Sequence, residues 1–198
     1  VAVAGRPNVG KSTLVNAICG QKVAIVSDKP QTTRRRIFGI ANGHGFQLIL
    51  ADLPGFQRPL DPLTEHMQRT VDAAFEDIEG VLLVLSARER IGAGDRFVAR
   101  RVFELGVPVV IALNKVDRLK GGHIATQMET ASKLGDFHAL HPVSARTGDG
   151  VIELRRQVDA AIRIVAEVLD RAGHDLRVAN DRLHVVGRVD RRAEEADL

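Results

Sequence analysis

Short apolar runs alternate with amphipathic stretches along most of the chain, the rhythm of strands and helices taken in turn. Val1-Ala2-Val3-Ala4 is apolar without a break, which predicts a short strand buried on both faces. Leu14, Val15 and Ile18 then fall on one side of a helix. Residues 23–36 are polar, basic and interrupted by Pro30, the pattern of a mobile loop. Strands are expected over 37–41 and 46–52, with Asn42-Gly43 as the tight turn of an antiparallel hairpin. Residues 53–60 form a second loop with two prolines. Asp61-Pro62 supplies a cap and a first-turn proline for a helix carrying Met67, Val71, Phe75 and Ile78.

Residues 81–85 (Val-Leu-Leu-Val-Leu) and 107–113 are continuous apolar runs, again buried strands, with a helix between them marked by Phe97, Val98, Val102 and Leu105. Ile124, Met128 and Leu134 fit a short helix, and 137–143 fits a last strand. Val151, Leu154, Val158, Ile162, Val165 and Leu169 recur every three or four residues, an amphipathic helix. The sum is an α/β fold: a doubly wound, mostly parallel six-stranded sheet with one antiparallel hairpin. In such sheets ligands bind beyond the carboxyl ends of the strands. The chemistry should be sought there.

Composition narrows the classes. A chain of 198 residues with 44% hydrophobic and 27% charged residues has material for a proper core. Its net charge of +3 gives no global demand for a nucleic-acid partner. Cys19 is the only cysteine, so an internal disulfide is excluded and a reducing, cytoplasmic setting fits. On the first helix it reads as a packed thiol rather than a reactive one. No apolar run approaches membrane-spanning length, and the sequence leaves peripheral membrane association open. Of the seven histidines, His138 and His141 share a strand end without a metal-ligand set.

Gly5-Arg6-Pro7-Asn8-Val9-Gly10-Lys11-Ser12 follows the first strand and opens the first helix. It has the form G-x-x-x-x-G-K-S of a phosphate-binding loop. Its amides can curl into a nest for an anion, Lys11 can reach the β/γ-phosphates, and the Ser12 hydroxyl can ligate Mg²⁺. Asp52-Leu53-Pro54-Gly55 ends the third strand. There a carboxylate can hold Mg²⁺ through water, and the Gly55 amide can touch a γ-phosphate. Asn114-Lys115-Val116-Asp117 ends the fifth strand. Asp117 can accept from guanine N1–H and the exocyclic amine, which adenine cannot satisfy. Asn114 would brace the loop, the Lys115 stem would cover the base, and Ser144-Ala145 can place an N–H near guanine O6.

In this order the four motifs resemble those of the translation-factor-related GTPases. Residues 5–13, ending in Thr13, look like the bacterial TrmE–Era–Der branch. Lys29-Pro30-Gln31-Thr32-Thr33-Arg34-Arg35-Arg36-Ile37 is similar to the first switch of its Era-type members, and His141-Pro142-Val143-Ser144-Ala145 fits them too. The resemblance covers residues 1–165. It implies a Ras-like P-loop GTPase fold binding GTP or GDP with Mg²⁺, and a part in small ribosomal subunit (30S) assembly at 16S rRNA. It makes Thr33 the expected switch threonine on Mg²⁺, with Thr32 the alternative, so that Ser12, Thr33 and Asp52 form the metal set. Asn8, with the first-switch backbone, is the expected holder of K⁺. Lys11, Thr33, Gly55 and Asn8 would then serve hydrolysis. Loss of the γ-phosphate would release residues 23–36 and 53–60.

Two departures stand out. The family's D-T-P-G is D-L-P-G here, and Phe56 takes the slot where many small GTPases carry a water-orienting Gln, with Gln57 one residue later. Slow intrinsic turnover is expected. Arg34, Arg35 and Arg36 could supply a finger, touch RNA or simply be solvated. Era-type chains continue into a KH domain with a G-x-x-G loop. Here residues 1–170 form the GTP-binding unit and 171–198 a short tail without that loop, in which six arginines balance six acids. A Der-type G domain, a nucleotide-gated interaction module with negligible hydrolysis, and a plain P-loop ATPase remain the competing readings.

Overall fold

The computed structural model describes residues 1–24, 37–43, 46–55 and 78–171. Its strands are β1 (Ala2–Ala4), β2 (Ile37–Gly43), β3 (Phe46–Asp52), β4 (Val81–Ser86), β5 (Val109–Asn114) and β6 (Ala139–Val143). The helices are α1 (Lys11–Cys19), α2 (Ala93–Phe103), α3 (Gly121–Ser132) and α4 (Val151–Arg171), with a 3₁₀ turn at Val116–Arg118. The six strands form one sheet in the order β2-β3-β1-β4-β5-β6. All neighbours are parallel except β2 and β3. The expected helix over 61–77 and the loops over 25–36 and 56–60 lie outside the described residues, as does the tail.

Alternation along the strands divides the core in two. Ala2, Ala4, Val81, Leu83, Leu85, Val109, Ile111 and Leu113 face one layer, where Val98, Ala99 and Val102 of α2 and Ala131 of α3 cover them. Val3, Leu82, Val84, Val110 and Ala112 face the other, under Leu14, Val15 and Ile18 of α1 and Leu154, Val158 and Ala161 of α4. Strands covered on both faces must be apolar at every position, and β4 and β5 are buried throughout.

The hairpin exists, but Asn42-Gly43 is not its turn. Both residues lie within β2, opposite Gln47 and Phe46. Packing decides this register. It sets Gly39 opposite Leu50 and Ala41 opposite Leu48, small against large, on the face that α1 covers. A Cβ on Gly39 would stand 2.8 Å from Cys19 Sγ and from a Val15 methyl. A turn at 42–43 would instead set His44 opposite Ala41 and Phe46 opposite Gly39, and slide the two leucines away from these small residues. Burial also raises the half-buried Cys19 thiol, with Arg155 opposing it, as suits a packed group.

β1 sits where the connections change direction: its neighbours are β3 on one side and β4 on the other. Because β1, β3, β4, β5 and β6 run parallel, their carboxyl ends share one rim. Such a switch point leaves a crevice at that rim.

Candidate guanine-nucleotide site

At the centre of the rim, residues 5–10 leave β1 and turn directly into α1. Asn8 and Gly10 adopt positive φ, 62° and 99°. The second needs glycine twice over, since a Cβ on Gly10 would also stand 2.4 Å from Asn114 Nδ2. Lys11 is buried, and its Nζ donates to the carbonyls of Gly5 (3.2 Å) and Arg6 (3.0 Å). Its ammonium thus spans the loop it belongs to. Burial lowers the Lys11 pKa to about 8, and Asp52 opposes part of that fall. An ammonium so held gains most from an anion brought beside it.

Ser12 Oγ donates to Asp52 Oδ2 at 2.6 Å, joining the start of α1 to the end of β3. Hard oxygen donors from two elements, one a buried carboxylate, fit Mg²⁺ and suit no softer metal. Leu53, in the family's threonine slot, is fully buried in the core, so its side chain is structural. Pro54 is buried beside it, and Gly55 lies against the phosphate loop, where a Cβ would come within 2.7 Å of Pro7 Cγ. Thr33, Thr32, Phe56, Gln57 and Arg34 to Arg36 lie outside the described residues.

At the other end of the rim, the Asn114 amide is oriented by both its atoms. Nδ2 donates to Val9 O at 2.9 Å, and Oδ1 accepts from Ala145 N–H at 3.0 Å. Lys115, at φ 71°, donates from Nζ to the carbonyl of Asn8. Its pKa is lowered, chiefly by burial and further by Arg88 and Arg6, with Glu89 opposing. Asp117 accepts from Ser144 Oγ at 3.0 Å and pairs with Arg146. Desolvation works to raise that carboxyl, but Ser144 and Arg146 outweigh it and hold it below the usual range.

The structure therefore brings the four motifs onto one rim and knits them together. Of the pair Ser144-Ala145, whose N–H was expected near guanine O6, the Ser144 N–H donates to Asp149 O at 2.9 Å and the Ala145 N–H to Asn114 Oδ1 at 3.0 Å. The Arg6 side chain points away from the loop's interior into two carboxylates. Sequence reading missed Arg146, Glu89 and Asp95. No motif contains them, and only three-dimensional proximity marks them out.

A family model described as "50S ribosome-binding GTPase" matches residues 1–115. The chain belongs to this family. Among its relatives, the protein named GTPase Era from Lactobacillus helveticus is 40% identical over 159 residues, covering 80% of this chain and 52% of that protein. GTPase Era from Ruminiclostridium cellulolyticum is 41% identical over 151 residues, covering 76% and 51%. The chain spans about half the length of the curated relatives it matches. Among solved structures, Era in complex with MgGDPNP and nucleotides 1506–1542 of 16S ribosomal RNA aligns with a TM-score of 0.75 at 31% identity, over 79% of this chain and 54% of that one. A single-residue variant of Aquifex aeolicus Era, bound to GDP·AlF4⁻, gives 0.74 at 31% identity, with coverage of 79% and 54%. The chain thus resembles the Era-type GTPases over about half of their length.

Proposed function

We propose that this chain binds GTP and hydrolyses it to GDP and phosphate, as the nucleotide-binding unit of an Era-type switch. The observation that carries the reading is the base end of the rim, where Asn114 ties the phosphate loop to the β6 loop beside the Asp117 carboxylate. A guanine edge can supply two donors to Asp117 in exchange for its present partners; an adenine edge cannot. Gly5 to Thr13 and Asp52 to Gly55 would hold the phosphates, with Asn114, Lys115, Asp117, Ser144 and Ala145 on the base. Ser12, Asp52 and Thr33 would hold Mg²⁺, which when bound neutralises charge on the phosphate oxygens. In hydrolysis a water oxygen would bond to the γ-phosphorus as the bridging P–O bond breaks, the water's proton passing to the released phosphate; Lys11 would face the charge moved onto the leaving β-phosphate oxygens and the Gly55 amide the γ-phosphate.

Asn8 is exposed at the mouth of the loop, the place from which a side-chain oxygen could take K⁺. Equal hydrolysis rates in K⁺ and Na⁺ at matched ionic strength would remove that role. No helix among the described residues is long and apolar enough to cross a membrane, and we place the protein in the cytoplasm. Residues 1–170 form the GTP-binding unit of this reading. The partner we propose is 16S rRNA within the small subunit, supported by the likeness of residues 29–37 to the first switch of Era-type proteins and by the rRNA held in the solved Era complex. The family description names the large subunit instead. Phosphate release measured alone, with 30S and with 50S subunits separates the two, and calorimetry showing equal heat with GTP and ATP would end the whole reading.

A further inference from the structure

Arg6 stands second in the phosphate loop, where an arginine invites assignment to the phosphates. Its geometry says otherwise. Nε donates to Asp95 Oδ1 and Nη2 to Glu89 Oε2, each at 2.8 Å. Asp95, in the first turn of α2, is 2% exposed, and its second oxygen accepts the Gly92 N–H at 3.0 Å. Gly94 lets the arginine lie flat there, since a Cβ at that position would stand 2.7 Å from Arg6 Cδ. The two carboxylates outweigh the cost of burial and hold the guanidinium more firmly charged than usual. The carbonyl of Arg6, meanwhile, accepts Lys11 Nζ. The residue is thus fixed through both side chain and backbone.

We propose that Arg6 is a positioning residue that clamps the phosphate loop to the start of α2 through Asp95 and Glu89, and that its side chain is not itself a phosphate ligand. A nest of amides binds an anion well only if its curl is set beforehand. The clamp sets it from outside, from the segment that joins β4 to α2. Arg6 also neutralises two carboxylates that would otherwise face the same loop as the incoming phosphates. The proposal rests on the reading of the rim as a nucleotide site, but the clamp itself is measurable without nucleotide.

The test uses Arg6→Ala, Asp95→Asn and, as a control at an exposed helix pair, Lys133→Ala. Hydrogen exchange across residues 5–10 of nucleotide-free protein should quicken about 10-fold in the first two variants and stay unchanged in the third. Calorimetry with GDP and with a non-hydrolysable GTP analogue should show both affinities falling about 10-fold, and by equal factors, as expected when a supporting charge pair behind a binding site is lost. The sign for Asp95→Asn is decisive. If Arg6 were a phosphate ligand held back by its partners, freeing it would tighten binding, and that result overturns the proposal. Unchanged exchange in both variants overturns it too. Should Arg6→Ala fail to fold, Asp95→Asn carries both readouts alone. Wild-type protein that takes up no guanine nucleotide, with the exchange effect intact, would refute the GTP reading and leave the clamp standing.

Discussion

The two ends of the rim are built by opposite means. At the phosphate end the polar surface is mainly backbone, shaped by Gly5, Gly10 and Asn8 and spanned by the Lys11 ammonium folded onto two carbonyls. At the base end it is mainly side chain: an amide, an ammonium and a carboxylate at the end of β5, with a hydroxyl and a guanidinium in the loop after β6. A backbone nest recognises charge and little else, because every residue offers the same N–H. Side chains on adjacent strand ends recognise a pattern of donors and acceptors. The difference predicts that affinity resides at one end and selectivity at the other.

The sharpest way to break that division is at Lys11. Lys11→Ala removes the cation at the phosphates and should weaken GDP and GTP binding about 100-fold or more while leaving the preference of guanine over adenine intact. Calorimetry with GTP and ATP reads both. Asp117→Asn should act the other way. Guanine affinity falls about 10- to 100-fold while ATP affinity is untouched, so that selectivity collapses. If Asp117→Asn weakened GTP and ATP alike, the two ends would not be separate in function.

Gly10 joins the ends and should fail at both. A Cβ there meets the Asn114 amide at 2.4 Å in a left-handed backbone. Gly10→Ala should therefore cost about 1–3 kcal/mol of stability as well as affinity, as measured by thermal melting without and with GDP. A smaller effect comes from pH. The Lys11 pKa of about 8 in the folded protein lies below its ordinary 10.5. The unfolded chain then holds more protons between those values, so this group's share of stability rises with pH across that window. The nucleotide, in contrast, needs the ammonium. The melting shift given by GDP should thus shrink above pH 8, and should fall less steeply with pH in Lys11→Ala.

The same division explains how far the sequence could be read. Gly5, Gly10, Lys11, Asp52, Asn114 and Asp117 could be placed on the rim because each stands at a fixed spacing from a strand end, and apolar runs such as 81–85 reveal the strands. The hairpin register was not recoverable from Asn42-Gly43, because it is set by Cys19 and Val15 pressing on Gly39 from a distant element. Nor could the side-chain partners of Arg6 be read. They are 83 and 89 residues away in the chain, and the neighbours of Arg6 in sequence all point to phosphate. Arg146 is the same case at the base end: one residue past a motif, it reaches back 29 positions to Asp117.

One primary amide, that of Asn114, has its hydrogens on one loop and its oxygen on another. Reversing it would set oxygen against the Val9 carbonyl and nitrogen against the Ala145 amide, so its orientation admits no alternative. Guanosine lacking any phosphate should for this reason already stiffen the glycine turn some distance from where it sits. The molecule would sense the letter before it weighs the charge.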